Sequence, residues 1–217
     1  MSEGEQIPAV LQRKSRKKFF FFLVAVIVLA ALAVAAEQVW YRYTYPYGWS
    51  HACSAGLCLS LPVYAEDHEG FLPHGEATPE ASLSLLFQFD SSTLSYFGGK
   101  NISRDIVEAA FKRDGKLSPA TCGWHYVEGL RESDNPEIAV AWDKVIGLGH
   151  NGQRMRGMMH EVVLLSGCKY VSKQEWPEFI ANQKSLLAQT IASRDSNAPP
   201  IRWSDEESLG PNRFNPK

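Results

Sequence analysis

Residues 19–36 form an unbroken run of 18 apolar residues without a charge, Gly or Pro. At about 1.5 Å per residue this predicts a helix of roughly 27 Å, close to the ~30 Å hydrocarbon core of a bilayer. It is longer than the roughly 7–15 residues of a secretory h-region. Beyond it the pattern changes. Cys53, Leu57, Leu61 and Tyr64 recur at helical steps and predict a helix over residues 50–66, which Pro62 should kink or split for want of an amide donor. Residues 79–89 read as a second short helix. Residues 104–113 read as a third, capped by Ser103 and stopped by Asp114-Gly115. Strand signals follow at 123–127 and 137–143, and 161–165 with 168–171 reads as a hairpin. Ser172 and Glu175 form a capping box for a closing helix that carries Trp176, Phe179, Ile180, Leu186 and Leu187. From Ser193 the composition turns polar and Pro-rich, which predicts a disordered tail over 193–217.

Charge orients this pattern. Residues 1–18 carry five basic side chains (Arg13, Lys14, Arg16, Lys17, Lys18) against Glu3 and Glu5, whereas the remainder is net acidic. Cations flanking the amino end of an apolar run place that end in the cytoplasm. Trp40, Tyr41, Tyr43, Tyr45 and Tyr47 then suit the opposite membrane–water boundary. The expected organisation is a basic cytoplasmic segment 1–18, a transmembrane helix 19–36 and an aromatic interfacial linker 37–47. An exoplasmic α+β domain follows over 48–192. Ala33, Val34 and Ala35 resemble a small-residue cleavage site, so an anchor and a removable signal both remain open. The lipid bilayer is an expected partner, and the overall charge of −2 excludes a basic nucleic-acid binder.

Candidate chemistry is sparse. Four cysteines fall on the side where disulfides persist. Cys53 and Cys58 are poorly spaced for bridging on one helix, while Cys122 and Cys168 border strands and are the disulfide candidates. His150 and His160 flank a Gly- and Met-rich loop and are the metal candidates; His68 and His74 share a loop with Glu66, Asp67 and Glu69. There is no HExxH or CxxC, no nucleophile elbow and no phosphate loop. No catalytic residue and no cofactor is therefore assigned, and the expectation is a non-enzyme. Asp143 and Lys144 read as a strand-end ion pair or a solvent-facing turn.

Two stretches carry a family resemblance. Cys53-Ser-Ala-Gly-Leu57, Leu61, Tyr64-Ala-Glu-Asp-His-Glu-Gly70 and Pro73 are similar to the patterned helix of type II secretion pseudopilins. Ala141-Trp-Asp-Lys144, His150-Asn-Gly152, Val162-Val-Leu-Leu-Ser-Gly167, Tyr170-Val171 and Glu175-Trp-Pro-Glu-Phe179 resemble the C-terminal domain of prepilin-type proteins with a His-x9-Asp-Gly motif. The resemblance covers roughly residues 50–185 and implies a pilin-like domain of helices packed on a small antiparallel sheet. It also implies secretion or pilus components as protein partners. Three departures stand out: Ser166 where the family has Asp, no prepilin peptidase site, and no Glu at the fifth position of the apolar run. They favour a fixed tether over a filament subunit.

The leading expectation is thus a single-pass protein of the cytoplasmic (inner) membrane presenting a pseudopilin-like interaction domain outside it. A processed minor pseudopilin and an exported metal-dependent enzyme are the alternatives. Interaction candidates are His150, Asn151, Met155, Met158 and Met159. Trp124, Tyr126 and Trp142 are further contact candidates, although strand aromatics more often fill a core.

Overall fold

The computed structural model describes residues 9–49, 54–149 and 151–212, with residues 9–17 as backbone only. The chain divides into two units, residues 1–44 and 45–217. The first is one helix, α1 (Ala9–Thr44), whose segment Lys18–Thr44 is long and apolar enough to cross a membrane, with none of its most apolar window buried inside the protein. The aromatic stretch expected as a linker is helical through Thr44, and a turn at Tyr45–Gly48 closes with Gly48 N–H donating to Tyr45 O. The Pro46-Tyr-Gly48 punctuation ends the helix there because Pro cannot continue the bonding pattern.

The second unit is α+β. Its sheet has the strand order β4-β3-β2-β1-β5, antiparallel throughout. The strands are β1 (Trp124–Glu128), β2 (Ala139–Asp143), β3 (Met159–Leu164), β4 (Gly167–Ser172) and β5 (Arg202–Trp203). Side chains alternate across a strand, so register sorts them onto two faces. Trp124 pairs with Asp143 and Cys168 with Val163 on the face that meets α2 (Ser54–Glu66) and α3 (Pro79–Leu83). His125 pairs with Trp142, and Trp142 with Val162, on the face that meets α6 (Trp176–Ser193). Trp124, Tyr126 and Trp142 are buried in the resulting core. They are therefore packing residues and not contact residues.

Local sequence chemistry explains most element ends. The helix α2 runs through Pro62 without a break, since its loss of one amide bond falls beside the exposed side chain of Val63. The expected helix over 79–89 divides into α3 and α4 (Leu85–Phe89) at Ser84, whose hydroxyl donates to Glu80 O and accepts from Leu117 N–H. Side-chain bonds of this kind compete with helix continuation. The helix α5 (Arg104–Asp114) ends on Gly115 at φ +68°, the left-handed cap that glycine adopts without a Cβ penalty. In the turn before α6, whose own N-cap is Glu175, Ser172 N–H donates to Glu175 Oε2 at 3.2 Å and Glu175 N–H donates to Ser172 Oγ at 3.3 Å, the reciprocal bonds of a capping box.

Two expectations are corrected. Residues 201–209 are folded: β5 pairs with β1, α7 (Glu206–Leu209) follows, and Ile201, Trp203, Asp205 and Leu209 are buried. A polar, Pro-rich composition hid four inward-facing residues. Cys122 and Cys168 are not joined; Cys168 bonds Cys58 of α2, and Cys122 is a buried free thiol. The order of strands supplies the reason. Cys122 precedes β1 and Cys168 lies on β4, three strand spacings or about 14 Å away. A disulfide tolerates a Cα separation of at most about 7 Å.

Candidate functional site

The polar centre of the molecule is a charged cluster that the sequence does not announce. Asp143 ends β2, Glu161 sits opposite on β3, and Lys100 arrives from the turn after the 3₁₀ segment Ser91–Ser95. Lys100 Nζ lies 3.1 Å from Asp143 Oδ2 and 2.7 Å from Glu161 Oε2. The latter contact is ionic and off the direction of a hydrogen bond, because Glu161 Oε2 has no hydrogen-bond partner. Ser54 Oγ of α2 donates to Glu161 Oε1. Glu161 N–H donates to Asp143 Oδ2 at 3.0 Å, and His160 Nδ1 lies 2.9 Å from Asp143 Oδ1. Burial pushes the Lys100 pKa down, but the two carboxylates outweigh it and hold it above the ordinary lysine value.

Lys100, Asp143 and Glu161 are all at most 2% exposed and Ser54 is 4% exposed, so the cluster is closed off from solvent. Chemically the cluster is a clamp tying α2, β2, β3 and the 98–101 turn together. That turn is seated by close backbone approach: a Cβ on Gly123 would meet Gly98 O at 2.0 Å. His160 is the member that reaches the surface. Its ring stacks on Trp176 at 3.7 Å, and with Nδ1 turned to Asp143 its Nε2 is left to face outward chemistry. Asp143 and Lys144 do not pair with each other, as the sequence suggests; Lys144 Nζ instead bonds the buried Glu80 at 2.9 Å.

A cleft of about 540 Å³ opens beside β1 and β5, lined by Glu80, His125, Arg202, Asp205, Glu206 and Glu207 among others. Burial lowers the His125 pKa, with Asp205 opposing, so the ring is neutral near pH 7. Its Nδ1 is buried without a partner. Burial raises the Asp205 carboxyl, but the Ser208 amide and His125 outweigh it and keep the group below the usual carboxylate range. Asp205 Oδ2 accepts from Trp142 Nε1–H at 2.9 Å, so this carboxylate is committed to the core.

The remaining sequence candidates are dispersed. His150 lies outside the described residues, as does Cys53. Asn151 bonds Gln153 within its own turn. Met155 and Met158 are exposed, and Met159 and His160 open β3. His68 stacks on Tyr64 and His74 bonds Leu72 O, so the first histidine loop is locally satisfied. Burial pushes the Cys122 thiol up to about 12, which leaves it unreactive. Among the described residues no three His, Cys, Asp or Glu side chains are grouped to hold a metal ion. Lys100 and Ser54 were missed because a lone Lys in a Gly-rich turn and a helix-start Ser carry no spacing signal. No family model, curated protein or solved structure matches the chain.

Proposed function

We propose that the protein is a single-pass anchor that presents an oxidised α+β domain outside the cytoplasmic membrane as a contact platform for another protein. The observation that carries the orientation is the Cys58–Cys168 bond in the unit that follows the span. Disulfides persist in oxidising compartments and are rare in the cytosol. The cationic flank of residues 13–18 supports the same direction. A non-enzymatic role is supported by the sealing of the charged cluster, whose Lys, Asp and Glu groups are spent on one another. The contact surface we assign is the 147–160 loop, with Met155 and Met158 exposed. Methionine side chains give large adaptable contact area. The resemblance to pseudopilins supports a secretion or envelope assembly as the setting.

Protease treatment of intact spheroplasts tests the orientation: the domain should be digested from outside, and the amino terminus should be untrimmed apart from the initiator Met. A protected domain, or one recovered in soluble form with a start near residue 36, would overturn the proposal. For the contact surface, a photocrosslinker at residue 158 should trap a membrane or envelope protein, whereas one at buried residue 130 should not.

A further inference from the structure

Three of the chain's four methionines lie within residues 155–159, and the fourth is Met1. Methionine usually fills gaps in a core, yet none of the three described methionines is buried. Met155 and Met158 are 38% and 48% exposed. The loop that carries them is folded back on itself. Met155 N–H donates to Gly147 O at 2.9 Å, Gly147 N–H to Met159 O at 3.2 Å, and Gly149 N–H to Gln153 O at 2.8 Å. Both thioethers lie on one glycine-bordered tripeptide. Met158 Sδ is 3.3 Å from where a Cβ on Gly147 would sit, and Met155 Sδ is 3.4 Å from the corresponding point on Gly149. Any side chain there would crowd the sulfurs. Gly147 also has φ +81°, a conformation that favours glycine.

An imidazole shares a strand face with one of these two sulfurs. Lys173 N–H donates to Met158 O at 2.8 Å, which extends the β3–β4 ladder one residue back, so Met158 and His160 share a face. His160 Nδ1 lies 2.9 Å from the buried Asp143. In the tautomer that donates from Nδ1 to this carboxylate, the lone pair is on Nε2. A carboxylate holding the far nitrogen is the usual support of a ligating histidine.

From these neighbours we infer that the loop is a binding site for a soft monovalent metal ion, Cu(I), held by Met155 Sδ, Met158 Sδ and His160 Nε2. Thioether ligands select soft ions and give little to Mg²⁺, Ca²⁺ or Mn²⁺. The donor set is uncharged, so binding adds one positive charge and releases no proton from the sulfurs.

The test uses the full chain in detergent micelles under anaerobic conditions, with accessible thiols alkylated first so that cysteine cannot supply the ligands. Cu(I) is offered from bicinchoninate, a coloured chelator. The expected result is one ion withdrawn per chain, an X-ray absorption spectrum with sulfur and nitrogen neighbours, and no competition from Zn²⁺. Met155→Leu and Met158→Leu preserve volume and apolarity. Each should weaken binding by at least the roughly 10–100-fold that loss of a mere outer partner costs, and the double variant should not bind. An unchanged melting temperature and an intact disulfide would show that these variants fold. Failure of the parent chain to take copper from the chelator would overturn the inference. So would a double Leu variant that binds as tightly as the parent, because then sulfur is not the ligand.

Discussion

Replacing Lys100 with Met should destabilise the domain more than any other single change in the charged cluster. Met approximates the length of the lysine side chain but removes the cation that lies 2.7 Å and 3.1 Å from two buried carboxylates. The two anions are not left equally exposed to the loss. Asp143 keeps the Glu161 amide and His160 Nδ1, while Glu161 keeps only the Ser54 hydroxyl. The stranded charge therefore sits mainly on Glu161. Removing one partner of a buried pair costs about 3–5 kcal/mol, a large part of the roughly 5–15 kcal/mol that holds a domain together. At about 2–4 °C per kcal/mol for a domain of this size, the melting temperature should fall by about 6–20 °C. Adding Glu161→Gln removes the stranded charge and keeps an acceptor for Ser54, so the double variant should regain about 2 kcal/mol. Thermal and urea melts of the oxidised full chain in micelles, followed by circular dichroism, measure both. The pH dependence gives a sign. Because the folded Lys100 pKa is raised, its stabilisation is complete below the unfolded value of about 10.4 and is lost as pH rises through the folded one. The gap between parent and variant should thus be flat from about pH 7 to 9 and close only at the alkaline end. A loss below about 1 kcal/mol for Lys100→Met, or a double variant weaker than either single one, would refute the clamp.

Other expectations follow from neighbouring features. Since burial depresses the folded His125 pKa, stability should be full above the unfolded value of about 6.5 and decline as pH falls below it; urea midpoints between pH 5 and 7.5 should show a shallower decline in His125→Gln. Loss of the Cys58–Cys168 bond, with a sequence separation of 110, should cost about 4–5 kcal/mol on a chain-entropy estimate, read from melts of the double Ala variant. Asp205→Ala leaves the buried Trp142 N–H without its acceptor and should cost about 1–3 kcal/mol, with a shift in tryptophan emission as the local report.

Repeating patterns along the chain were the legible part. The apolar run, the Ser103–Gly115 helix, the four long strands and the Ser172 capping box are all written in local spacing, and each forms close to its expected place. What local spacing cannot carry is partnership at a distance. Asp143 looked like the mate of Lys144 next door, but its cation comes from Lys100, 43 residues earlier. Cys168 was matched to the wrong strand border because strand order, and not strand existence, decides which sulfurs meet. Trp203 and Leu209 were masked by polar neighbours, and too few apolar residues recur there to produce a period. Of the candidate sites, the methionine loop was visible as composition alone. Its glycine floor and the Asp143-held imidazole required the fold.

With the chain anchored as proposed, covalent connectivity in the second unit has a consequence for shedding. A protease that nicks the loop between β2 and β3 leaves two polypeptides, but the one containing Cys168 stays fastened through sulfur to the one containing Cys58, which continues into the hydrophobic span. Cleavage there can alter the exposed surface without liberating either piece. Only a cut on the amino side of residue 58, or a nick combined with a reductant, would let the α+β body diffuse away.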